Sequence, residues 1–172
     1  MRTLLPHTAA AAVLATAVAL SMPRGLHSAP APGEVLTATL HAEGAQIYHC
    51  KPDGEGKLTW QFREPVATLL LKGETVGRHY AGPSWELLDG SAVSARVTAR
   101  TPGPTRDDIP LLLLEVTGSR GQGLLNGVTT IHRLNTVGGL TQGPCVIAGA
   151  FKSVPYSADY AFIPGGRPSV VP

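Results

Sequence analysis

A strict two-residue alternation of apolar and polar side chains constrains this chain more than any other feature. Val93, Ala95, Val97 and Ala99 fall on one side of a segment, and Ser94, Arg96, Thr98 and Arg100 on the other. A pleated strand sends successive side chains to opposite faces, so the segment reads as an antiparallel strand with one buried and one wet face. Leu58, Trp60 and Phe62 repeat the pattern, as do Tyr156, Ala158, Tyr160 and Phe162. The unbroken run from Leu111 to Leu114, which follows Pro110, reads as a strand covered on both sides. Asp53-Gly54 and Asp89-Gly90 are hairpin dipeptides, because glycine tolerates the positive φ of tight turns. Gly73, Gly82-Pro83, Pro102-Gly103-Pro104 and Gly138-Gly139 break the remaining segments. With 20 glycines and 15 prolines in 172 residues, there is room for at most a helical turn near Thr105 to Ile109. The expectation is an all-β fold, a single antiparallel barrel or sandwich of about eight to ten strands.

The amino terminus does not share this pattern. Met1 and Arg2 precede an apolar run from Thr8 to Leu20, and small residues and prolines follow around His27 to Ala31. A positive start, an apolar stretch too short for a membrane helix and a small-residue exit describe a secretory signal peptide over residues 1–31. Its removal leaves roughly 140 residues, enough for one domain, expected over residues 35–163 with a disordered tail at 164–172. No second apolar stretch is long enough to span a bilayer, so no membrane span is expected in the mature chain. The formal charge of +2 comes from the leader: without Arg2 and Arg24, twelve basic residues balance twelve acidic ones. A near-neutral chain with dispersed charges gives no reason to expect nucleic acid as a partner.

Export places the two cysteines, Cys50 and Cys145, in an oxidising space, where an even pair reads as a disulfide. Closing a loop of this size stabilises a fold by about 4–5 kcal/mol in the chain-entropy model. A redox or metal role would call for close spacing such as C-x-x-C, which is absent.

Several motifs occur together in fixed order. Gly44-Ala45-Gln46-Ile47-Tyr48-His49-Cys50 precedes Trp60, then Gly77-Arg78-His79-Tyr80-Ala81-Gly82-Pro83-Ser84-Trp85-Glu86 and Asp89-Gly90-Ser91. Ile109 to Leu114, Val128 to Gly139, Cys145 and Val154-Pro155-Tyr156-Ser157-Ala158-Asp159-Tyr160 complete the series. The combination resembles a family of secreted bacterial and fungal proteins known only as a domain of unknown function, DUF3455. The likeness covers about residues 36–163, and His132 stands where it implies glutamine. It implies secretion and a β-rich fold, and carries no activity to transfer.

The densest group of recognition-prone side chains is His79, Tyr80, Trp85 and Glu86, on either side of the bend at Gly82-Pro83. An indole face to stack on, with imidazole, phenol and carboxylate to hydrogen-bond, suits a sugar or peptide ligand. The competing reading packs the two aromatic rings in the core and satisfies His79 on a carbonyl. Outside the leader the histidines are His41, His49, His79 and His132, with no H-x-H or H-E-x-x-H among them. Three ligands would have to come from separate strands, as where His49 beside Cys50 converges with His79; isolated polar residues on strand surfaces are the simpler reading, so no metal and no cofactor is expected. No G-x-S-x-G elbow is present, and Asp107 and Asp108, being adjacent, point apart. The glycine-rich stretch Gly118 to Gly123 lacks the G-K-[ST] ending of a phosphate loop and reads as a hairpin connection. The expected function is a non-enzymatic binding or structural domain of the cell envelope, periplasmic or extracellular, with an unidentified envelope or extracellular ligand. The alternative is a metal-dependent or hydrolytic enzyme centred on His79 and Glu86.

Overall fold

The computed structural model describes residues 36–165 together with Pro30. The expected leader thus lies outside the described residues except for Pro30, as does the expected tail beyond Gly165. Eight strands follow one another: β1 (Ala38–Pro52), β2 (Leu58–Leu71), β3 (Glu74–Tyr80), β4 (Ser84–Leu87), β5 (Ala92–Thr101), β6 (Leu111–Arg120), β7 (Val128–Gly138) and β8 (Phe151–Pro164). Each pairs antiparallel with the next and β8 returns to β1, so one sheet closes in a ring. The fold is all-β as expected, with no helix among the described residues. No helix there is long and apolar enough to cross a membrane.

Alternation decides which side chains fill the ring. Along β1, Leu40, Ala42, Gln46, Tyr48 and Cys50 are buried while the residues between them are at least partly exposed. Tyr156, Ala158, Tyr160 and Phe162 of β8 point inward, as their spacing implies. Leu40, Leu69, Trp85, Leu114, Ile131, Tyr160 and Phe162 are each at most 1 % exposed and form the heart of the core. Burying a side chain of this kind contributes about 1.5–3 kcal/mol. A ring has a single interior, so the run Leu111 to Leu114 is not covered twice: Leu112 and Leu114 are buried, and Leu111 and Leu113 only half-buried.

Successive connections alternate between the two ends of the ring. One end carries the short links 72–73 and 88–91 and the link 121–127. It is closed by Leu125, which is fully buried, and Asp89 accepts hydrogen bonds from the amides of Ser91 and Leu124 to tie two of these links together. The other end carries 53–57, 81–83, 102–110 and 139–150. At the 53–57 turn the residue with positive φ is Gly56, at 81°, rather than Gly54. Asp53 explains the shift: its carboxylate accepts from the amides of Glu55 and Lys57, which lengthens the turn beyond two residues.

The segment 139–150 folds back along the end of the β1–β2 hairpin. Its Cys145 is bonded to Cys50 with Cα atoms 5.9 Å apart, confirming the expected pair. The Trp60 amide donates to Gly143 and the Cys145 amide to Leu58, which makes the segment an extra strand-like edge. Phe62, expected to be inward with Trp60, shares the inner face opposite Tyr48 but sits at the rim and is 56 % exposed. At Gly44 the neighbouring strand comes so close that a Cβ would collide with the Val66 carbonyl and with Ala67. Only glycine fits there.

Candidate functional site

The sheet separates the four side chains grouped by sequence. His79 of β3 and Trp85 of β4 are direct cross-strand neighbours facing inward, stacked with ring centroids 4.5 Å apart and planes 10° off parallel. Tyr80 and Glu86 face the opposite way. Glu86 binds Arg78 at 3.0 Å, Arg120 at 3.1 Å and the Tyr80 hydroxyl at 3.0 Å on the outer surface. The hydrogen bonds from Arg78 and Arg120, above all, hold its carboxyl near a pKa of about 2. The geometry therefore brings together His79 with Trp85 inside and Tyr80 with Glu86 outside, and does not join the two pairs in one pocket.

His79 is buried, and its Nδ1–H donates to the Ser84 carbonyl at 2.8 Å. Because a carbonyl only accepts, this bond fixes the tautomer. Burial drives its pKa down to about 4, so the imidazole is neutral near neutral pH. The other histidines are dispersed. His41 binds Asp159 at 2.7 Å on the outer face, and His49 stacks on Phe151. Asp159 also accepts from Asn135, so it faces outward and needs no partner from the interior. Among the described residues, no group of three or more His, Cys, Asp or Glu side chains could hold a metal ion.

Above His79 the ring is not filled. A cavity of about 380 Å³ opens between the 81–83, 102–110 and 139–150 connections, with Gln46, Tyr48, His79 and Arg133 toward its floor. Val97, Ile109, Leu112 and Leu140 supply apolar wall, and Arg63, Phe62 and Arg100 stand around it. A larger depression of about 750 Å³ lies outside, between residues 100–110 and 140–142. That surface is lined by the end of β5 and by connection residues. Its one buried acid, Asp108, is fully occupied in latching Thr105 and the Gly138 amide. The cavity at the ring mouth is the better candidate, because the buried polar side chains Gln46, Tyr48 and His79 line it together with apolar wall.

Arg133 enters the interior because its position on β7 is directly opposite Tyr160 on β8 and Leu112 on β6, both inward-facing. Its Nε–H donates to the Pro110 carbonyl at 2.9 Å. Among the described residues it forms no ion pair with a carboxylate. Its charge acts on Tyr48, His79, Tyr156 and Tyr160 together, which makes it the common neighbour of the polar floor. Burial pushes all three phenols above their ordinary range, so they stay neutral. The Tyr156 and Tyr160 hydroxyls lie close to each other, and Tyr160 close to Arg133, short of full hydrogen-bond geometry, while Gln46 Nε2 has no partner. Tyr48 is satisfied: its hydroxyl donates to the Gly139 carbonyl at 2.8 Å, tying the 139–150 segment over the floor.

Reading the sequence for clusters of reactive neighbours missed Gln46, Arg100, Arg133 and Tyr156 as a group. The signal was present in the alternation: Gln46 and Arg133 are polar residues at inward parity, Gln46 in step with Ala42 and Tyr48 and Arg133 in step with Ile131. A family model described as "Protein of unknown function (DUF3455)" matches residues 30–73 and 70–163. No curated protein and no solved structure matches the chain.

Proposed function

The chain belongs to the DUF3455 family of proteins of unknown function, and from that premise we propose that it is an exported, non-enzymatic domain that binds a small organic ligand at the ring mouth. One observation carries the reading: a cavity at the ring mouth is lined by the polar side chains of Gln46, Tyr48, His79 and Arg133 among apolar walls, and the buried Gln46 Nε2 there has no partner. Unmet donors and acceptors in a buried site cost free energy, and a ligand that pairs with them recovers it. His79, with Trp85 stacked behind it, belongs to this site, whereas Tyr80 and Glu86 belong to an outer cluster with Arg78 and Arg120.

The leader-like residues 1–31 support export to the periplasm or beyond, with residues 35–163 and the end of β8 at Pro164 as the working domain and a tail after it. The disulfide fits an oxidising compartment. The test is a small-fragment screen by ligand-observed NMR on the wild type and on Leu140→Trp, which fills the mouth from a half-buried connection residue. Fragments that bind the wild type and lose at least tenfold in affinity in L140W support the pocket. An absence of binders, or binding indifferent to L140W, refutes it.

A further inference from the structure

We infer that the mouth cavity takes an organic carboxylate, with its anionic group seated on Arg133 and an apolar body lying against Val97, Ile109 and Leu112. The inference deepens the binding reading and rests on it. Its starting point is charge. Arg63, Arg100 and Arg133 line the cavity, and no aspartate or glutamate does. Arg63 is partly neutralised by Glu64 at 3.1 Å, while Arg100 and Arg133 have no ion pair among the described residues.

A guanidinium drawn into a closed ring loses much of its hydration, and a protein ordinarily compensates with a carboxylate. Here the surrounding side chains are neutral: three phenols held protonated by burial, an uncharged imidazole and an amide. The counter-charge is therefore left for a ligand to bring. The Arg133 Nε–H is spent on Pro110 and the guanidinium also meets the Tyr160 hydroxyl, which still leaves terminal N–H groups for an acceptor with two oxygens. A carboxylate presents two oxygens in that geometry and has lone pairs to spare. Gln46 Nε2, buried, without a partner and part of the cavity lining, is a neutral donor at the same floor. The walls are aliphatic and proline-rich, which selects a carboxylate on a hydrocarbon or aromatic body over a sugar or an inorganic ion.

The experiment compares four probes on the intact protein by calorimetry at neutral pH: phenylacetate, its near-isostere phenylacetamide, phenethylammonium and inorganic phosphate. Phenylacetate is expected to bind, with phenylacetamide weaker by about tenfold or more and phenethylammonium weaker still. Arg133→Gln should bring acid and amide to similar affinity. If that variant does not fold, Arg100→Gln, a substitution at an exposed rim position, should weaken phenylacetate several-fold while leaving phenylacetamide unchanged. Equal binding of acid and amide to the wild type overturns the carboxylate assignment and leaves the pocket reading standing. Tighter binding of phosphate than of phenylacetate also overturns it. A fragment screen that finds ligands while all four probes fail sinks this inference alone, whereas a screen without ligands sinks the pocket itself.

Discussion

His79 shows how one residue couples the core to pH. Its folded pKa of about 4 lies below the ordinary histidine value of 6.5. Between those two values the unfolded chain binds a proton that the folded chain refuses, so stability falls as pH drops through that window and levels off below it. The loss should approach about 3 kcal/mol, and a urea midpoint followed against pH would show it. His79→Gln should flatten the profile over this window; an unchanged slope would place the titration elsewhere. Glu86 acts in a lower window, its contribution fading from about pH 4.5 toward 2. Trp85→Ala should cost about 3–5 kcal/mol in denaturant unfolding, since it removes a fully buried ring that stacks on His79 and meets Tyr160 edge-on. Single residues were legible in the sequence where parity mattered, as for Tyr156 and Tyr160. They were illegible where a polar side chain occupied an inward position, because Arg133 reads as a surface charge until its cross-strand neighbours are known.

At the level of elements, the 139–150 connection is the part most dependent on covalent and hydrogen-bonded support. It is held by Cys50–Cys145, by the Tyr48 hydroxyl on Gly139 and by Lys152 on Thr141. Replacing both cysteines with alanine should cost about 2–5 kcal/mol, read from the thermal or urea midpoint. It should also weaken binding at the mouth, because Leu140 is part of the wall. Gly44→Ala should destabilise by at least about 1–3 kcal/mol through the clash with β2; a neutral result would mean the two strands are less tightly apposed. Strand positions and most turns could be read from period and glycine placement. The exact turn at 53–57 could not, because Asp53 captures two amides and moves the positive φ to Gly56. Nor could the rim position of Phe62, since alternation fixes a face and is silent on how far the core extends along it.

For the whole molecule, the decisive step is the pairing of β1 with β8 that closes the ring. Alternating strands serve a sandwich or a ring equally well, so closure was beyond the reach of local pattern. Closure makes the interior single and lets one end be packed by Leu125 while the other stays open over Arg133. The most direct measurement is side-chain NMR of the arginine guanidinium groups during titration with phenylacetate. A ligand seated inside the ring shifts the Arg133 Nε–H resonance and leaves those of Arg78 and Arg120, on the outer surface, in place. Shifts at Arg78 and Arg120 with none at Arg133 would contradict an interior site.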